Sequence, residues 1–454
     1  MMILYFGVGR VLPYAGRLGI LLAGSLYFYA YWMPVFLPLL FLTIILNFLY
    51  GRLLRKKKDK RLLILGIGID LLPLLFFKYT NFVIQNINAL AGLIQPEYKV
   101  AFLPLILPLG ISFFTFQAIA YLVDCFQKDT EEYSLLEFSV FISFWPQLIA
   151  GPILHHSELI PQLRNGEKKH IHAGNVITGA TVFVIGASKK LLLADSLAIL
   201  PDQVFALPAA ATPSEALVGT VCYTLQLYFD FSGYCDMAYG SAKIFNIELP
   251  FNFLSPYKSR NMKEFWQRWH ITLSQWLRDY IYIPLGGSRK GEKRTFLNFL
   301  STFLIGGIWH GAGWNFVVWG MIHGISAACC HLWHKRKKTM HWIIGIGITM
   351  LIVHTGWIFF RASSLPDAFL ILSKIVEGGF DPLQTNLTKE SCFTCIYSAF
   401  IVWSMPNSQK IADDISAGKH IWLWGMLSGI LWVLVILYLI ARELPPSPFL
   451  YFQF

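Results

Sequence analysis

Formal charge is scarce in this chain. Asp, Glu, Lys and Arg make up 14% of its 454 residues, against roughly 25% in an average soluble domain. That shortage excludes a water-soluble enzyme and a disordered chain. Acid is the scarcer sign, with 26 Asp+Glu against 37 Lys+Arg and a net charge of +11. No serine carries glycines at both flanking offsets of G-x-S-x-G, so the usual esterase elbow is missing. Gly186-Ala-Ser-Lys-Lys190 does not complete a phosphate loop. Cys392-x-x-Cys395 lacks a second pair at zinc-ribbon spacing, so the seven cysteines read as buried thiols and no metal site is expected. No internal repeat is visible, which removes the inverted halves of many secondary transporters. The polar connections around 155–172, 246–263 and 378–391 are too short for a separate soluble domain.

Apolar residues, by contrast, reach 55%, and 16% of the chain is aromatic, so lipid must be the solvent for much of it. The first long run, Leu18 to Gly51, holds no formal charge, and Pro34 with Pro38 predicts a split into two pieces. It exceeds a signal-peptide core and reads as a retained anchor. Further apolar segments lie near 62–84, 100–123, 135–154, 173–194, 214–229, 295–309, 314–333, 341–360, 392–405 and 421–441. They predict an all-α polytopic membrane protein of about 10–12 spans or partial spans, plus short re-entrant or interfacial helices. One integral-membrane domain, residues 1–454, is expected.

Two segments are poor lipid-facing helices. Residues 100–123 carry Pro104, Pro108, Gly110, Ser112 and Gln117, and 295–313 carry Gly306, Gly307, Gly311 and Gly313. Broken backbone at membrane depth survives only inside protein or along a cavity. The paired Gly66/Gly68 and Gly345/Gly347 predict helix-packing contacts instead. The basic clusters at 52–61 and 335–338, and Arg289, Lys290, Lys293 and Arg294, each adjoin an apolar stretch. This is the pattern of cytoplasmic loops and argues against nucleic-acid binding.

Of twelve histidines, His310, His323 and His354 lie within apolar sequence, where an ionisable group is a functional candidate by default. The bland alternative is a helix–helix hydrogen bond. His310 has the richest surroundings, Gly306-Gly-Ile-Trp-His310-Gly-Ala-Gly-Trp314. Its glycines allow close approach of backbone or substrate, and the Trp309 and Trp314 indoles can wall a pocket. His323 lies 13 residues on, about 220° around an ideal helix, which argues against a metal pair with His310. His155-His156 suggests H-x-x-x-x-D, but Ile160 and Pro161 occupy the aspartate's places, leaving a solvated loop pair.

His270 stands in Asn261-Met-Lys-Glu-Phe-Trp-Gln-Arg-Trp-His-Ile-Thr-Leu-Ser-Gln-Trp-Leu-Arg-Asp-Tyr280. On a continuous helical wheel Phe265, Trp269, Leu273, Trp276, Leu277 and Tyr280 share one arc, and the polar residues share the other. His270 falls at the edge of the aromatic face, about 40° from Trp266. An interfacial helix with an incidental histidine would show the same pattern.

Taken together, these segments resemble the membrane-bound O-acyltransferase family, and above all its bacterial branch of alginate and peptidoglycan O-acetyltransferase membrane subunits. The likeness rests on Pro108-Leu-Gly-Ile-Ser-Phe-Phe-Thr-Phe-Gln117, Trp145-Pro-Gln-Leu-Ile-Ala-Gly-Pro-Ile153, and Phe229-Asp-Phe-Ser-Gly-Tyr234 with Asp236. Arg268-Trp-His270, Trp276 to Lys290, Trp309-His310-Gly311 and the terminal Phe449-Leu-Tyr-Phe-Gln-Phe454 complete it. It covers residues 100–325 best. The resemblance implies a helical core pierced by a through-membrane tunnel, with His310 as the catalytic histidine. His270 stands at a second position that is His or Asn depending on the branch. Trp309, Trp314, Gln117, Trp269 and Asp279 become substrate-tunnel candidates, while Asp230, Asp236 and Arg278 could equally hold the core together.

Acyl transfer to an alcohol needs a base for the hydroxyl, and histidine titrates near neutrality. The expectation is that His310 takes the acceptor proton while His270 orients the thioester or stabilises developing negative charge. Backbone N–H groups freed between Gly306 and Gly313 would assist. No tightly bound cofactor is implied, and acetyl-CoA is the expected acyl donor. The resemblance further implies a cell inner-membrane location, a polysaccharide acceptor and a periplasmic or membrane-tethered serine hydrolase-like transferase as partner. D-alanyl transfer to teichoic acid is the runner-up, and a transporter or flippase without covalent chemistry is the alternative from another class.

Overall fold

The computed structural model describes residues 1–9, 11–95, 97–128, 130–166, 170–379, 388–441 and 447–450. Of the terminal aromatic motif, residues 451–454 lie outside that set, as does 380–387 of the last polar connection. The described residues form helices and turns, with one isolated bridge, Phe253 to Trp269, in place of any sheet. Among the described residues, six helices are long and apolar enough to cross a membrane: Pro34–Lys57, Lys60–Ala91, Ala173–Leu197, Trp314–Lys335, Trp342–Arg361 and Ile421–Ala441. The other apolar segments are shorter, as at Ile111–Gln127, or are helices carrying charge. This is a multi-pass membrane protein.

The chain divides into two compact units. The first comprises residues 1–176 and 241–250. Its helices are α1 (Tyr14–Trp32), α2 (Leu37–Lys57), α3 (Lys60–Ala91), α4 (Ile111–Gln127), α5 (Leu135–Ser143) and α6 (His156–Arg164). The predicted split of the first apolar run occurs at Met33, whose extended φ of −145° suits a residue preceding proline. Buried Asn47 of α2 donates to Asp70 of α3 at 2.6 Å. Gly66 gives α3 its close approach to Leu122 of α4, since a Cβ there would lie 2.9 Å from that side chain, whereas Gly68 faces open space.

The second unit comprises residues 177–240 and 251–454. It contains most of α7 (Ala173–Ser188) and α8 (Pro213–Ile244), then α9 (Met262–Trp266), α10 (Ile271–Leu277), α11 (Glu292–His310), α12 (Trp314–Lys335) and α13 (Trp342–Arg361). Two glycine contacts set the α7–α8 spacing. A Cβ on Gly186 would lie 2.5 Å from the Gly233 carbonyl, and one on Gly240 would collide with that of Gly179. Beside them run buried ion pairs, Lys189 to Asp236 at 2.6 Å and Lys190 to Asp230 at 2.7 Å and Asp195 at 3.0 Å. Removing one partner from such a pair costs roughly 3–5 kcal/mol. Asp230 and Asp236 therefore serve the core. The described tail closes on the same network, with Ser447 donating to Asp195 and the Leu450 N–H to Asp230.

Candidate active site

His310 is the last residue of α11. That helix is continuous through Gly306 and Gly307 and ends only at Gly311, so the expected opening of the backbone from residue 306 onward does not occur. Gly307 and Gly320 instead let α11 and α12 touch, while Gly306 faces Leu277 of α10. A Cβ on Gly307 would collide with the Phe316 carbonyl, and one on Gly320 would lie 2.6 Å from that of Phe303. Tight packing of this kind fixes the reversal at 311–313 and with it the His310 side chain. The ring is 5% exposed. Its walls are Trp309 at 4.8 Å, Trp319 at 5.0 Å and Phe360 at 5.2 Å between ring centres, all edge-on.

His270 arrives by a different route from the one its helical periodicity predicts. Residues 261–280 are not one helix: α9 stops at Trp266, a turn follows, and α10 begins at Ile271. His270 forms the hinge in the left-handed region, φ 43° and ψ 56°, a conformation costing about 1–3 kcal/mol outside glycine. The neighbouring strand-like segment over-determines it. Leu254 N–H donates to the Arg268 carbonyl at 2.9 Å and Ile271 N–H to the Asn252 carbonyl at 3.1 Å. Tertiary hydrogen bonding thus overrides a pattern that burial still follows: Phe265, Trp269, Leu273, Trp276 and Leu277 are buried, while Gln267, Gln275, Arg278 and Asp279 are exposed.

Asn252 also sets the His270 tautomer. Its Oδ1 accepts both the Thr272 N–H at 3.0 Å and the Thr272 hydroxyl at 3.1 Å. The amide nitrogen is therefore the group that meets His270 Nδ1, at 3.2 Å, against 3.4 Å for the occupied oxygen. An amide donor makes Nδ1 the acceptor and leaves the imidazole proton on Nε2. Burial pushes the His270 pKa down to about 3, so the ring is neutral at working pH. His270 is thus a fixed donor through Nε2. Nothing in the spacing of Phe251-Asn252-Phe253 announced this partner.

Trp309 joins the two histidines, with its centre 4.8 Å from the His310 ring and 6.5 Å from that of His270. Trp269 is buried on the far side of the loop, stacked on Phe265 and Tyr257 and 4.8 Å from Trp357. Trp314, at the start of α12, is 56% exposed, and Asp279 pairs with Arg278 at 2.7 Å on an exposed edge. Gln117 is buried in α4 of the first unit. A cavity of about 360 Å³ adjoins the second-unit site. Its lining includes Lys263, Trp266, Ser274, Leu277, Arg278, Phe303 and His331, and neither His270 nor His310.

One further histidine group was missed. His156 is 3% exposed, bonded through Nδ1 to the Tyr133 hydroxyl at 2.8 Å and through Nε2 to Asp124 at 3.2 Å. His155 reaches the same Asp124 oxygen at 2.7 Å, and Lys128 neutralises the other oxygen at 2.9 Å. The pair is not simply solvated loop surface, because Asp124 comes from α4, 31 residues upstream of His155 and invisible to local spacing. Two histidines and a carboxylate could in principle ligate an ion. With both imidazoles on one oxygen and an ammonium on the other, the arrangement is that of a salt-bridged hydrogen-bond network.

The comparisons with known proteins give the family. Residues 111–342 match the model of MBOAT, the membrane-bound O-acyltransferase family. The chain belongs to this family. Its membership makes it an O-acyltransferase, and the match spans His270 and His310 alike. Among its relatives, a peptidoglycan O-acetyltransferase of Helicobacter pylori is 42% identical over 399 residues, covering 80% of this chain and 74% of that protein. A probable alginate O-acetylase, AlgI, of Pseudomonas putida is 36% identical over 466 residues, covering 96% and 94%. A teichoic acid D-alanyltransferase of Streptococcus thermophilus is 29% identical over 244 residues, covering 51% of this chain and 59% of the other. The acetyltransferase relatives extend the likeness across most of the chain, and the D-alanyl relative across half of it.

Proposed function

We propose that this acyltransferase moves acetyl groups from a cytosolic thioester, acetyl-CoA, to hydroxyls of a periplasmic or extracellular polysaccharide. Its location is the cell inner membrane. The reading is carried by one observation: two imidazoles from separate segments meet the same indole, Trp309, inside a buried aromatic pocket. His310 is the base that takes the acceptor hydroxyl proton as the oxygen attacks the thioester carbonyl. The same proton then passes to the departing thiolate, so the imidazole is regenerated. His270, fixed as an Nε2 donor by Asn252, hydrogen-bonds the oxyanion of the tetrahedral intermediate. Freed backbone N–H groups between Gly306 and His310 have no part in it, since that stretch is helical.

The length of α11 supports a deep site. From Arg294 to His310 the unbroken helix rises about 24 Å at 1.5 Å per residue, most of a hydrocarbon core of roughly 30 Å. If Arg294 marks the cytoplasmic end, an acceptor from the outer face meets a donor threaded from inside. A periplasmic or membrane-tethered serine hydrolase-like transferase relays the acetyl group to the polymer.

The test is purified full-length protein in vesicles given labelled acetyl-CoA, with label followed into acceptor or partner protein. Acetyl consumption that requires His310 supports the proposal. Turnover only with a D-alanyl carrier protein selects the D-alanyl reaction, and solute movement without acetyl consumption selects a transporter.

A further inference from the structure

His323 lies at the middle of α12, fully buried, in a cage of Trp266 at 5.1 Å, Trp319 at 4.6 Å, Trp357 at 5.9 Å, Phe265 and Phe303, both at 6.4 Å. The bland role for a histidine here is a hydrogen bond to the next helix. The structure does not show it. Neither ring nitrogen of His323 has a hydrogen-bond partner among the described residues, and the same holds for the indole N–H groups of Trp266 and Trp319. A buried polar group without a partner forfeits its hydration and gains nothing in return, and four of them occupy one cluster. Leucine or phenylalanine would fill the volume without that cost.

The cluster also has a purpose-shaped seat. A Cβ on Gly356 of α13 would lie 2.6 Å from His323 Nε2, so the ring occupies a notch that only a glycine leaves open. On one side, Trp319 stands between His323 and His310, 4.6 Å from the first and 5.0 Å from the second. On the other, Trp266 and Phe303 face both His323 and the cavity of about 360 Å³.

We infer that His323 is a positioning residue of the acyl-transfer site. Its imidazole, seated against Gly356, fixes the Trp319 ring that forms one wall of the His310 pocket. Its nitrogens, with the Trp266 and Trp319 N–H groups, form a polar patch in the layer between that pocket and the cavity. It exchanges no proton with substrate and touches none of the reacting atoms. The inference rests on the reading of His310 as the base.

The test replaces the gene copy in cells with each variant and measures base-labile acetyl released from envelope polymers. Protein amount and melting temperature in detergent are measured alongside. His323→Leu keeps the packing and removes both nitrogens; it is expected to lower acetylation per folded protein about 10- to 100-fold, the scale of an ångström-level misplacement. His323→Gln retains a donor and an acceptor and is expected to stay within about threefold of wild type. Gly356→Ala, which fills the notch, is expected to reproduce the leucine variant. Folded His323→Leu with wild-type acetylation overturns the inference, as does an equal loss in Leu and Gln variants that follows only their melting temperatures. His310→Ala, run in parallel, separates the two readings: if it retains acetylation, the base assignment fails whatever His323 does.

Discussion

The two histidine groups of this protein are built on opposite plans. In the first unit, His155 and His156 are held by a carboxylate, a phenol and a serine hydroxyl, and an ammonium balances the charge. In the second, His270, His310 and His323 are walled by Trp and Phe rings. An imidazole committed to a carboxylate orders its surroundings and stays where it is. One enclosed by aromatic walls is held chiefly by packing and is shielded from water. The contrast is between imidazoles tied to polar partners and imidazoles enclosed mainly by rings.

The strongest way to break that contrast is His310→Ala. Loss of a positioned base is expected to lower acetyl transfer by about 10²–10⁴-fold while the melting temperature holds. A folded His310→Ala protein with wild-type turnover would falsify the assignment. Next comes Asn252→Asp, in which a carboxylate accepts from Nδ1 and draws the His270 proton off Nε2. Loss of that donor should reduce turnover by about 10²–10³-fold, and unchanged kinetics in the vesicle assay would remove His270 from the oxyanion role. In the first unit, Asp124→Asn should cost stability, about 1–3 kcal/mol by denaturant melting, with turnover per folded molecule preserved; a selective loss of turnover would erase the distinction between the units. The smallest effect is expected at the surface. Asp279→Asn breaks an exposed pair worth about 0–1 kcal/mol and should leave rate and stability near wild type, whereas a marked loss of activity would support Asp279 as a tunnel residue. The pH–rate profile sharpens the same comparison: because burial holds His270 neutral, the acid limb should fall with one ionisation, about tenfold per pH unit, and vanish in no variant that keeps His310.

Much of the fold was legible, and for simple reasons. Apolar length and charge placement dictate membrane helices, and Met33-Pro34 marks a break because a residue before proline avoids helical backbone. His270 and His310, both singled out by their motifs, come to the same Trp309 ring. What could not be read was set by partners distant in sequence. The 261–280 stretch keeps a helical burial pattern yet breaks at His270, because Asn252 and Leu254 bond its backbone. Gly306 and Gly307 suggested an opened chain, but a helix of glycines facing another helix closes tighter instead. Gly345 packs as expected, a Cβ there colliding with the Arg260 carbonyl, while its twin Gly347 faces nothing within 4 Å. His156 was misjudged because its neighbours in sequence are polar and its partners in space are not adjacent to it.

The left-handed backbone at residue 270 bears on which substitutions evolution could have tried there. Most side chains resist a φ of 43°, and asparagine, aspartate and histidine are the non-glycine residues found there more often than others. Asparagine and histidine can also present an N–H from the end of a short planar group. A His270→Asn exchange is therefore expected to leave the loop's backbone in place.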